Sequence, residues 1–137
     1  MKPYTFISHT ADIGIKVKGR TIKELFKNSA FALFDIIADL NHIKAEEDFK
    51  LNLASENPEE LLHDWLKELL FQCNVNLFVF KRFNISKLSD TAIESIATGE
   101  HITSKDILKT EIKAVTYHNL AIKKEKGIWK TAIIYDE

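Results

Sequence analysis

The stretch "NPEELLHDWLKELLFQC", residues 57 to 73, decides the class of fold, because it spells a helix that is apolar on one side only. Asn57 opens it, Pro58 stands at the first helical position where a missing donor costs nothing, and Glu59 and Glu60 suit the positive end of the helix dipole. Leu61, Leu62, Trp65, Leu66, Leu69, Leu70 and Cys73 then form one wide apolar face. A helix of this kind must cover a sheet face.

A second helix is predicted upstream. Thr21 followed by Glu24 reads as a capping box, in which the threonine oxygen takes a free amide and the glutamate reaches back. Ile22, Leu25, Phe26, Ala30, Leu33, Phe34 and Ile37 follow at helical spacing. Strands fill most of the rest. "IGIKVKG" (13 to 19) alternates, "FKLNLAS" (49 to 55) sets Phe49, Leu51 and Leu53 on one side, and "LFVF" (77 to 80) is a continuous apolar run suited to a central strand. "KEKG" (124 to 127) makes a charged turn between "LAIK" and "IWKTAIIY". The expected architecture is α+β: one mixed, mostly antiparallel sheet with both amphipathic helices packed on one face, over residues 1–137 as a single domain.

Length and charge narrow the function. A chain of 137 residues supports one real core, burying somewhat less than roughly 70% of its unfolded surface. No run of 18 apolar residues could span a bilayer, and the opening residues lack the pattern of a signal peptide, so a cytoplasmic protein without membrane partners is expected. The single cysteine, Cys73, excludes an internal disulfide framework or thiolate cluster and reads as core packing. Nineteen basic residues against twenty acidic ones leave a net charge of -1, unlike a protein that holds nucleic acid tightly by neutralising phosphates. The charge is uneven, however: residues 35 to 68 hold ten acids against three lysines, and residues 105 to 130 hold seven lysines against three acids. That polarity favours a protein partner.

Few enzyme chemistries survive. The four glycines, at 14, 19, 99 and 127, stand too far apart for a phosphate loop, and there is neither a zinc-type H-E-x-x-H nor a nucleophile elbow. His42 and His63 are expected to face solvent. Three stretches remain. In "HTADIG" (9 to 14) Asp12 sits at the mouth of a strand, as a turn carboxylate or as a ligand for a hard cation. In "EIKAVTYH" (111 to 118) strict alternation sets Glu111, Lys113, Val115 and Tyr117 on one face and Ile112, Ala114, Thr116 and His118 on the other, with Lys113 read as a snorkelling side chain. In "IIYDE" (133 to 137) an apolar strand delivers Asp136, and a cation is one physical reason to hold such an acid. Nothing in the spacing pairs residue 12 with residue 136.

Taken in order, "HTADIG", "ELFKNSAFALF" (24 to 34), "ELLHDWLKELLF" (60 to 71), Gly99 with Glu100, "EIKAVTYH" and the acidic tail resemble the archease family across essentially the whole chain. The resemblance implies a non-catalytic protein cofactor of the RtcB-type RNA ligase, which joins phosphate and 5'-hydroxyl ends in tRNA splicing and RNA repair. Such a protein promotes formation of the ligase's guanylylated histidine, giving multiple turnover and broader nucleotide use, and meets tRNA only indirectly through the ligase. The resemblance also implies a divalent cation, Ca²⁺ or alternatively Mg²⁺, held by Asp12 and Asp136 with Glu137 contributing main-chain or terminal oxygen. Lys113 would contact phosphate or an acidic partner as a point charge, with His9 and His118 in supporting roles. In one departure, the family tail has an apolar residue where Glu137 stands here. The competing expectation is a chaperone-type binding module for protein or RNA, whose ion only stabilises the strand ends. A small metal-dependent hydrolase would need a base near a bound water, and His9 is the obvious candidate.

Overall fold

Local chemistry sets where both helices begin. Thr21 Oγ1 accepts the Glu24 N–H at 3.0 Å and starts helix α1 (Ile22–Ile37). The Glu24 carboxylate accepts from the N–H of Arg20 at 3.2 Å, one residue before the cap rather than at it. Asn57 Oδ1 accepts the Glu60 N–H at 2.8 Å and starts helix α2 (Pro58–Asn76) with Pro58 in its first turn. The end of α2 turns through Leu77, whose left-handed φ of 58° lets its N–H donate back to the Cys73 carbonyl at 3.1 Å.

This computed structural model describes residues 3–7 and 12–137. Among them are eight strands: β1 (Tyr4–Ile7), β2 (Ile13–Gly19), β3 (Glu47–Ala54), β4 (Phe78–Leu88), β5 (Ala92–His101), β6 (Ala114–Val115), β7 (Ile122–Glu125) and β8 (Ile128–Asp136). The fold is α+β and every strand pair is antiparallel. The strands divide between two sheets instead of forming the single one expected. The first runs β1-β2-β8-β6, with β7 also pairing β8, and the second runs β3-β5-β4.

Helix periodicity explains the division. The buried residues of α1, from Leu25 to Ile37, and of α2, from Leu61 to Cys73, each wrap roughly half of the helix circumference at 3.6 residues per turn. That is wider than the stripe of a helix lying on one sheet. Accordingly α1 touches β1, β2 and β8 of the first sheet and β4 of the second, while α2 touches β3, β4 and β5 of the second and β6 of the first. Residues of both helices and both sheets join one continuous core. Phe34 meets Phe80 edge-on at 5.4 Å, and Trp65 packs on Phe26 at 5.9 Å and Phe83 at 6.1 Å. The buried Trp65 N–H is satisfied by Ser95 Oγ at 3.0 Å. Each fully buried Leu, Ile or Phe in such a core contributes roughly 1.5–3 kcal/mol.

The "LFVF" run is not central: β4 pairs with β5 alone and is an edge strand, and the helices that touch it account for its burial. Gly99 on β5 permits this packing, since a Cβ there would lie 1.9 Å from the Val79 carbonyl oxygen. The hairpin of β7 and β8 turns at Lys126 (φ 52°) and Gly127 (φ 79°), the two consecutive left-handed residues of a tight primed turn. Cys73 is buried in α2, and burial pushes its thiol up to about 11, with Lys105 pulling slightly the other way.

Candidate functional site

The three chemistry-bearing stretches meet at one end of the first sheet. β2 pairs β8 with Ile13 opposite Tyr135, and Asp12 immediately precedes β2 where Asp136 ends β8. On the other side of β8, Ala114 is opposite Asp136, and the Lys113 N–H donates to the Asp136 carbonyl at 2.7 Å. Asp136 at the end of β8, Asp12 just before β2 and Lys113 just before β6 therefore lie at the same end of three adjacent strands, which are spaced by about 4.8 Å. Asp12 is half-buried, whereas Lys113, Asp136 and Glu137 are exposed. His118 is exposed in the turn after β6, its N–H donating to Thr116 Oγ1 at 3.2 Å. His9 lies outside the described residues.

Carboxylates are hard oxygen donors, so the chemistry at this tip suits a hard cation such as Ca²⁺ or Mg²⁺. Register brings two of them, Asp12 and Asp136, to adjacent strand ends; Glu137 follows beyond the strand. Among the described residues no group of three or more His, Cys, Asp or Glu side chains converges. Any such ion would draw its remaining ligands from main-chain oxygens or water, as hard cations accept. Lys113 meets this tip through its main chain, and its exposed ammonium is a point charge at the same end of the sheet.

A second constellation holds this tip in place, and the sequence reading missed it. His63 does not face solvent: it is 5% exposed. Its Nε2 lies 3.0 Å from the Val115 carbonyl and its Nδ1 lies 3.1 Å from Asp64 Oδ1, so both ring nitrogens face oxygen acceptors. Tyr117 stacks on the imidazole with ring centroids 3.6 Å apart and donates its hydroxyl to Asp64 Oδ1 at 3.2 Å. Ser55 Oγ donates to the other Asp64 oxygen at 2.8 Å. Further along α2, Asn74 Nδ2 donates to the Ile112 carbonyl at 2.9 Å. The N-terminal end of α2 adds Glu59, which accepts the Ile122 N–H at 3.0 Å.

These contacts explain why "EIKAVTYH" departs from strict alternation. Only Ala114 and Val115 form a strand, and Ile112 and Val115 are both buried with exposed Lys113 between them. α2 takes the carbonyls of Ile112 and Val115 that a regular ladder would use, so the segment is clamped to a helix rather than zipped along a strand. Partial burial pushes the Asp64 carboxyl upward, but the hydrogen bonds from His63, Ser55 and Tyr117 outweigh it and hold Asp64 below the ordinary carboxylate range. A signal for His63 was available in its spacing, since it precedes Leu66 by three and Leu70 by seven and so borders the apolar face.

Comparison with known proteins covers nearly the whole chain. Residues 4–136 match the Archease protein family (MTH1598/TM1083). The chain is 36% identical to a protein archease of Methanosarcina mazei, covering 98% of this chain and 96% of that one. It is 34% identical to a protein archease of Methanopyrus kandleri, covering 98% and 99%. In structure it is similar to the solution structure of Methanobacterium thermoautotrophicum protein 1598, with a TM-score of 0.85, 34% identity and complete coverage of both chains. A crystal structure of a Thermotoga maritima archease, described as a possible chaperone, shares the fold with a TM-score of 0.67 at 22% identity, covering 96% of this chain and 94% of that one.

Proposed function

This chain belongs to the archease family, and from that premise we propose that it is a non-catalytic activator of an RtcB-type RNA ligase in tRNA splicing and RNA repair. It promotes guanylylation of the ligase's histidine, sustains multiple turnover and broadens nucleotide use, beside the ligase in the cytoplasm. The observation that carries this reading is the convergence of Asp12, Asp136 and Lys113 at neighbouring ends of three adjacent strands, Asp12 coming from more than a hundred residues before the other two. A tip of that kind can enter a partner's cleft.

Phosphoryl transfer depends chiefly on positioning and charge stabilisation, so an auxiliary protein that orders those elements can raise turnover without supplying a nucleophile. Asp12 and Asp136, with Glu137 nearby, are the residues that would hold a divalent cation, and that ion would supply positive charge against nucleotide phosphates. Lys113 adds a second positive group, able to reach a phosphate or an acidic residue of the ligase. His63 and Asn74 position it by fixing the main chain of Val115 and Ile112. His118, exposed in the following turn, stands close in sequence to this clamp.

The test is ligase turnover and enzyme-GMP formation with the cognate RtcB-type protein, comparing wild type, Asp12→Ala and Asp136→Ala after circular dichroism confirms folding. Stimulation by wild type that both variants lack is the expected result. Equal stimulation by all three would overturn the role of the tip and favour a chaperone-type module whose ion serves stability alone.

A further inference from the structure

The outer face of the first sheet carries an arrangement that costs stability and so calls for a ligand. Lys18 on β2 is directly opposite Lys130 on β8, and Lys130 is in turn directly opposite Lys123 on β7. Residues opposite one another on antiparallel strands share a face with Cβ atoms about 5 Å apart, and like charges so placed repel. Three lysines thus stand in one row across three strands. Lys16, two residues along β2 from Lys18, extends the row on the same face opposite the small Ala132. Together they border an open groove of about 540 Å³, in which the single lining carboxylate, Glu125, lies 3.4 Å from Lys130.

We propose that this groove binds the phosphodiester backbone of a nucleic-acid strand, a site separate from the tip and independent of the ligase reading. Lysine ammonium groups act as mobile point charges, which suits phosphates presented without a fixed angle. A folded protein partner is disfavoured by the lining: besides the lysines and Glu125 it offers threonines, Asn119, Val17 and alanines, with no aromatic anchor of the kind that dominates protein interfaces. Sequence-independent contact through a few phosphates also agrees with a net charge of -1, because it predicts weak and salt-sensitive binding. None of the tip residues lines the groove, and Lys16 lies four residues along the chain from Asp12, roughly 13 Å at the rise of a strand.

Fluorescence anisotropy of a labelled oligouridylate of about twelve nucleotides, titrated with the full chain over a salt series, reads this directly. Binding through three or four phosphates gives a plot of log K against log salt with a slope of about -2 to -3. The combined variant Lys18→Gln, Lys123→Gln and Lys130→Gln is expected to weaken binding about ten-fold and to flatten that slope by about 2. Its melting temperature is expected to hold or rise, because the repulsion within the row is relieved. Lys130→Gln alone should remove about a third of the slope change, which keeps the test open should the combined variant fold poorly. Unchanged binding by these variants, or no binding by wild type at low salt, would overturn the proposal. Tighter binding of polyglutamate than of the oligouridylate would overturn it too, and would give the groove to an acidic protein segment.

Discussion

Asp64 is a surface-proximal carboxylate that receives three side-chain contacts, from Ser55, His63 and Tyr117, at 2.8, 3.1 and 3.2 Å. Those donors favour its charged form over the partial desolvation that opposes it, so its folded-state pKa lies below the unfolded value. The stability this contributes is present above the unfolded pKa and is lost as pH falls through the folded one. Urea melts at about pH 6 and about pH 3 are therefore expected to show a larger acid loss for wild type than for Asp64→Asn. An equal loss in both proteins would show that the network does not anchor the carboxylate. At this scale the sequence announced the acids of the tip but hid His63. A histidine beside an aspartate on a helix gives no local sign that its ring will meet the carbonyl of Val115, fifty-two residues away.

Elements show the reverse balance, since short-range chemistry governs them. Thr21 and Asn57 cap their helices as their residue types dictate, and the hairpin between β7 and β8 closes through Lys126 and Gly127. Gly127 has φ of 79°, and nothing lies within 4 Å of where its Cβ would be. Gly127→Ala therefore meets no clash, and its cost isolates backbone strain at about 1 kcal/mol, measurable by chemical denaturation. A loss several times larger would mean that the turn is packed against something. The alternating run read over residues 111 to 118 shrinks to the two-residue β6, because its neighbours are held by side chains of α2 instead of by a ladder. "LFVF" was misjudged for a related reason. A continuous apolar run reports burial on both faces, which helices can supply to an edge strand as well as flanking strands can supply it to a central one.

Across the whole molecule, both helices contact both sheets, so neither sheet keeps a core of its own. The two sheets are expected to unfold together. Trp65, fully buried beside the second sheet, and Trp129, on β8 of the first, are the two tryptophans and can report on each separately. Urea transitions of Trp129→Phe and Trp65→Phe, followed by the remaining tryptophan and by circular dichroism, should coincide between probes within each variant. Separate transitions would divide the molecule into two cooperative units. By itself the sequence determined the helices, their caps, the charged hairpin and the α+β class, because capping and periodicity act over a few residues. It also carried the family resemblance through stretches spread along the whole chain. Only the tertiary structure decided that the strands form two sheets, that Asp12 and Asp136 lie at the same end of neighbouring strands, that His63 is a buried clamp and that three lysines share one row. Each of those follows from strand register or helix docking between distant segments, and register is fixed by which faces the assembled core buries.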